Sequence, residues 1–234
     1  MSMISEDRVW FSPVRAYSEY LKLAEKIGVE AIENEAKYKR VLETKSVAIL
    51  CFALFVANNT PWWLQLHRND PPDALIMRVS PDRPGQHDIL GVEVTTYFRN
   101  KIGLPKDSVF EQLKKTKMFE KFHKYTEHDV VLVDLGWYYK PDFNEIQQYM
   151  VKIGAPYQLW FIQEVQSQPD TLAELTLCNT QGARQRTVNI GEAWHDMKQQ
   201  NVFGAIRVQR VGNIDKVGAK EGEPIEGSPW ETMV

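Results

Sequence analysis

An α/β fold with a mixed central sheet flanked by helices is predicted by three observations. Apolar runs of strand length alternate with segments of helical periodicity along most of the chain. Runs at 74–80 and 89–98 are parted by Pro81, Pro84 and Gly85, as the two arms of a hairpin are. The run at 129–135, DVVLVDL, is nearly continuous in apolar residues, the pattern of a strand covered on both faces.

The elements follow in order. Residues 1–12 show no clear pattern. Tyr17, Tyr20, Leu21 and Ala24 fall at helical spacing and predict a helix over 13–27 that Gly28 closes. A longer helix is predicted from 29 to about 57, charged and surface-like in its first half and apolar in its second, SVAILCFALFVA, with Asn58-Asn59-Thr60-Pro61 ending it. WWLQL at 62–66 predicts a strand leading into the hairpin, its paired tryptophans serving packing more readily than base stacking.

After the hairpin, 99–106 reads as a loop, and Ser108-x-x-Glu111 has capping-box spacing for a helix running to about 125. The strand at 129–135 precedes a helix over 142–153 stopped by Gly154, then a strand over 157–165. Strands at 172–178 and 205–211 with a short helix over 191–200 form a C-terminal β extension, and Arg184 and Arg186 are placed in a loop before that helix, solvated or available to phosphate. The expected organisation is one α/β domain over 1–211, made of a helical segment (1–57), a core (58–165) and the β extension (166–211). Residues 212–234, rich in Gly, Pro and Glu, read as a loose tail.

Composition narrows the function. With 234 residues, 43% hydrophobic and 25% charged, the chain is that of an ordinary globular protein. Its net charge of −3 excludes coating of nucleic acid by bulk electrostatics, while leaving local basic patches open. Two cysteines make no disulfide framework, and without a secretory pattern a reducing, cytoplasmic setting is expected. The apolar run 47–57 is too short to span a bilayer, so no membrane partner is expected, and a homo-oligomer is compatible with the sequence.

Two acids mark the hairpin as the chemical centre. Pro71-Pro72 cannot continue a ladder, so Asp73 sits at the mouth of the first strand, and Glu93 interrupts the apolar second strand. If the register pairs Asp73 with Thr95, Asp73 and Glu93 are diagonal neighbours on one face, about 7–8 Å apart at the backbone, and both reach one ion. A slip of one residue separates them to opposite faces. Converging carboxylates require raised pKa values or a cation, and magnesium, with one or two carboxylates and a phosphate, is the natural one. The plain alternative is a turn-ending Asp73 and a solvent-facing Glu93.

Pro72-Asp73, some twenty residues, then Glu93-Val94-Thr95 resembles the motif of the PD-(D/E)XK nuclease superfamily, whose usual lysine is replaced here by Thr95. The resemblance implies a restriction-endonuclease-like core and a metal-dependent nuclease, with DNA as the expected substrate and Mg2+ or Mn2+ as cofactor. It makes Asp73, Glu93 and the backbone carbonyl of Val94 metal ligands and leaves Thr95 to position water. The superfamily often adds a glutamate from its first helix. Glu30, Glu33 and Glu43 are available, and a solvated helix face explains all three.

A basic helix carrying Lys114, Lys115, Lys117, Lys121 and Lys124 either follows a phosphate backbone or keeps the helix soluble. Together with Lys101 it is the expected source of a lysine standing in for the one missing at Thr95. There is no Walker loop, GxGxxG, paired CxxC, HExxH or GxSxG, the five histidines are scattered, and a Cys178/His195 pair is as much as any chain offers. The competing reading is a non-catalytic nucleic-acid-binding or protein-interaction module of the same fold.

Overall fold

A computed structural model describes residues 8–66, 72–79, 87–96, 126, 129–136, 141–166, 171–211 and 214–219. Helix α1, Pro13–Ile27, starts where Ser12 accepts a hydrogen bond from the Arg15 N–H at 3.1 Å, with Pro13 in the first turn where its missing N–H costs nothing. Gly28 ends it at φ +88°, a conformation open to glycine at little cost. The buried stripe is Val14, Tyr17 and Tyr20, whereas Leu21 is turned to solvent.

The single long helix expected after residue 28 is broken. Helix α2, Val29–Asn34, gives way to extended backbone at Glu35 and a 3-10 turn, Ala36–Tyr38, before helix α3, Lys39–Asn58. Continuing the face of Ile32 by helical spacing would lead to Glu35, Ala36 and Lys39, which are polar or small and exposed. The break re-phases the chain so that α3 is buried from Val41 through Ala53. Although the segment Ala36–Asn58 is long and apolar enough to cross a membrane, 78% of its apolar stretch is buried inside the protein, as the central helix of a packed core.

Among the described residues ten strands form one mixed sheet: β1 (Arg8–Phe11), β2 (Trp63–Leu66), β3 (Ala74–Val79), β4 (His87–Thr96), β5 (Asp129–Asp134), β6 (Gln158–Gln166), β7 (Leu172–Asn179), β8 (Gly182–Asn189), β9 (Ala205–Val211) and β10 (Ile214–Ala219). Their order is β10-β9-β1-β2-β3-β4-β5-β6-β7-β8. Strands β4, β5 and β6 are parallel neighbours, and the remaining pairs are antiparallel. Helix α4 is Phe143–Ile153, capped by Asp142, and α5 is Ile190–Gln199, capped by Asn189.

One face of the sheet packs on α1, α3 and α5 through Ala74, Ile76, Val92, Val94, Val130 and Leu132. The alternate residues Val131, Val133, Leu159 and Phe161 pack on α4 from the other face, and Trp10, Leu75, Met77 and Ile206 form a third cluster. The mixed sheet flanked by helices is therefore as expected. Three strands depart from expectation. β1 lies in the segment without pattern, β8 holds Arg184 and Arg186 in a strand rather than a loop, and β10 pairs with β9 within the supposed tail. The helix expected over 108–125 lies outside the described residues.

Within the stretch of α3 read as surface, Glu43 and Lys45 are buried with their charges. Lys45 is only 2% exposed, forms an ion pair with Glu164 and lies 3.9 Å from Asp134. Asp134 also accepts from Ser46 Oγ at 2.6 Å and, at the end of its strand, from the Gly136 N–H at 2.8 Å. Burial pulls the lysine's proton affinity down, but Glu164 and Asp134 outweigh it and hold Lys45 above its ordinary range. The ammonium also stands 5.4 Å from the centre of the Tyr20 ring. This network ties α3 to the carboxyl ends of β5 and β6.

Removing one member of such a pair strands the other charge in the interior. Lys45→Ala is expected to lower the unfolding free energy by about 3–5 kcal/mol. Adding Glu164→Gln to Lys45→Ala should recover part of that loss, as measured by urea denaturation. A loss below about 1 kcal/mol for Lys45→Ala would assign the lysine the weight of a surface pair.

Candidate functional site

The site forms where β3 has not yet begun and β4 runs on. Ala74 pairs with Val92 and Ile76 with Leu90, so the register, carried one step further, sets Asp73 across from Glu93. The expected pairing of Asp73 with Thr95 is thus off by two residues, which preserves the faces. Val92 and Val94 point into the core beneath α3, so alternation sends Glu93 and Thr95 to the other face, beside Val131 and Val133 of the neighbouring β5.

Asp73 precedes the ladder, and its side chain takes over where the backbone leaves. Its Oδ2 accepts the N–H of Val94 at 2.8 Å, the place of the acceptor that β3 would have supplied had Pro72 not turned the chain. That bond lies in the plane of the sheet, so the carboxylate sits at the edge of β4. In an extended strand the carbonyl of a residue leaves on the same side as its N–H, so the Val94 carbonyl faces this edge as well. The other oxygen, Oδ1, meets Arg40 Nη1 at 3.1 Å.

Of the three helix glutamates, the structure brings Glu43 to Asp73. Glu43 is 1% exposed, and its Oε2 lies 3.1 Å from the same Arg40 Nη1. Glu30 is exposed on α2 and Glu33 is half-buried there. Burial, then the charge of Asp73, raises the Glu43 carboxyl above its ordinary range against the opposing pull of Lys39 and Arg40. Lys39 Nζ stands 3.1 Å from Glu43 Oε1, and this contact, first as a hydrogen bond and then as a charge pair, raises the lysine against its partial burial. Two carboxylates and two cations thus share the first turns of α3 and the mouth of β3.

Sequence reasoning missed Arg40 and Lys39. The available signal was their spacing, Arg40 three and Lys39 four residues before Glu43, which puts all three on one helix face. Lys101, Lys114, Lys115, Lys117, Lys121 and Lys124 lie outside the described residues. Trp62 is buried with Arg78 over its ring at 5.3 Å, a packing role, and Trp63 is half-buried. Cys178 is buried in the cluster under α4, its thiol pushed up to about 12 by burial, while His195 is exposed on α5, which packs on the opposite face of the sheet. The two make no nucleophile pair.

A divalent cation is tested by the donors present. Asp73 and Glu43 each direct an oxygen at one positive nitrogen, and Glu43 Oε1 is a buried oxygen held by a second cation, Lys39 Nζ at 3.1 Å. Both features fit a hard cation that takes carboxylate oxygens. Among the described residues no group of three or more His, Cys, Asp and Glu side chains forms a ligand cluster. Two carboxylates, the complement magnesium commonly uses beside phosphate and water, are what Asp73 and Glu43 supply.

The raised carboxyl of Glu43 has a signed consequence for stability. Its native form holds a proton at pH values where the unfolded chain has released it, so the ionised form costs stability. As pH rises from about 4.3, the unperturbed glutamate value, through the raised native value, the wild type should lose stability relative to Glu43→Gln in urea titrations. A gain over that window would mean that Arg40 and Lys39 dominate burial. In comparisons with known proteins, no family model matches the chain and no curated protein is similar to it.

Proposed function

We propose that the chain is a metal-dependent nuclease of the restriction-endonuclease type, acting on DNA, with Asp73 and Glu43 as its ion-holding acids. The observation that carries this reading is the convergence of Glu43 from α3 and Asp73 from the head of β3 on a single positive charge at the edge of β4. Support comes from the order of elements as well. Helix α3 is followed by the antiparallel β2, β3 and β4, and β5 then lies parallel to β4, which agrees with the mixed central sheet flanked by helices that the resemblance implies.

A bound Mg2+ supplies an activated water and a clamp on a phosphate oxygen. Asp73, Glu43 and the Val94 carbonyl would hold it, and Glu93 lies across from Asp73 in the register. The rest is work of the chain. Burial of Glu43 and Asp73 strengthens their attraction for a cation, because interactions in a poorly solvated place are screened less. Thr95, which alternation sends to the face away from α3, offers a hydroxyl but brings no charge. Among the described residues the positive donors beside the acids are Arg40 and Lys39, which would take the role of a motif lysine.

A second reading rests on the same charges. Lys39 and Arg40 balance Glu43 and Asp73 one for one, which suits a structural ion-pair network in a non-catalytic nucleic-acid-binding or protein-interaction module. Cleavage of labelled duplex and single-stranded DNA with Mg2+ and Mn2+ separates the two. Asp73→Ala and Glu43→Gln should each reduce a metal-dependent rate by about 10² or more, and Thr95→Lys should raise it, since a positioned proton donor or charge contributes on the order of 10²–10⁴. Absence of metal-dependent cleavage by both the wild type and Thr95→Lys would favour the module.

A further inference from the structure

We propose that Arg40 is a partner-switching residue: it competes with a divalent cation for Glu43 and Asp73, and when displaced it turns to the phosphate of the nucleic acid. This rests on the nuclease reading of the site and adds a role for its cation. One nitrogen, Nη1, serves both carboxylates at 3.1 Å, so an ion shared by Glu43 Oε2 and Asp73 Oδ1 would need the place that Nη1 holds. The two occupants exclude each other by volume and by charge.

Arg40 is able to leave. Its side chain is 35% exposed, in the first turn of α3, whereas Glu43 is sealed and Asp73 is fixed to the Val94 N–H. Its backbone is held in place independently, because the Arg40 carbonyl accepts from Thr44 Oγ1 at 2.7 Å, so the guanidinium moves on a fixed stem. Charge balance gives the direction of the switch. Glu43, Asp73, Lys39 and Arg40 sum to zero, and a divalent ion adds two positive charges that an arriving phosphodiester offsets in part. A guanidinium released beside that ion matches a phosphate oxygen pair with two parallel N–H donors.

The two halves of the switch move two measurements in opposite directions. Mn2+ binding to the full chain, followed by calorimetry, should be about tenfold tighter in Arg40→Gln than in the wild type, because the internal competitor is gone. Binding of a short labelled DNA duplex in saturating Ca2+ should be about tenfold weaker in the same variant, because a charged phosphate contact is lost. Arg40→Lys should fall between on both scales, and Lys39→Gln should leave the Mn2+ affinity nearer to wild type. An arginine that only supports the fold would weaken both or neither.

If the wild type binds Mn2+ and Arg40→Gln binds it no more tightly, the switch is overturned while the site stands. If Mn2+ affinity rises but the DNA affinity in Ca2+ is unchanged, the phosphate half is overturned. If no variant binds Mn2+, the nuclease reading falls and the switch with it. Should Arg40→Gln fail to fold, Arg40→Lys carries the same comparison.

Discussion

Helix α3 buries four consecutive polar residues, Glu43, Thr44, Lys45 and Ser46, in a helix surrounded by core, and satisfying them is the constraint from which the arrangement follows. Thr44 and Ser46 can turn their hydroxyls back to the carbonyls of Arg40 and Leu42. Glu43 is paired from its own helix by Lys39 and Arg40, whereas Lys45 has no such local solution and must meet opposite charges on the sheet. Lys45 reaches Glu164 and Asp134 at the carboxyl ends of β6 and β5, and Glu43 reaches Arg40 beside Asp73. These pairings fix both the rotation of α3 and its position along the strands. A one-residue rotation would leave a lysine and a glutamate facing aliphatic core.

The sheet contributes the complementary feature. Strands β4, β5 and β6 run parallel, and the carboxyl ends of parallel strands are where open α/β sheets gather polar groups for ligands. β3 starts late against β4, so the edge of β4 near Val94 has backbone groups to offer, and Asp73 settles on one of them. The acids, the backbone edge and the cations of α3 thus share one end of the sheet. Strands β7 and β8 on one side and β2, β1, β9 and β10 on the other widen the platform, and α1 and α5 seal it beside α3.

Much of this was legible before any coordinates. Strand β5 and helix α4 follow from residue pattern and caps, because DVVLVDL and the Asp142-to-Gly154 segment carry their own local signals. Strand β8 was not legible: GARQRTVN is exposed from Ala183 to Thr187 and has no apolar face, since as an edge strand it is held by its ladder to β7. Strand β1, with only RVWF to show, is too short for a period to emerge, and β10 owes its form to β9. Asp73 was legible from Pro71-Pro72. Glu43 and Arg40 were not, because what distinguishes Glu43 from Glu30 and Glu33 is the break at Glu35, a tertiary matter that aims α3 at the sheet edge.

The central claim is that Glu43 and Asp73 together hold a divalent cation at the edge of β4. A crystal of the full chain grown with Mn2+ and measured for anomalous scattering tests this most directly. A single peak within about 2.0–2.6 Å of oxygens from both carboxylates, the range of hard-cation ligation, is the predicted result, with the Arg40 guanidinium moved off them. Saturating Mn2+ with no peak there, and Arg40 still bridging Glu43 and Asp73, would contradict the account.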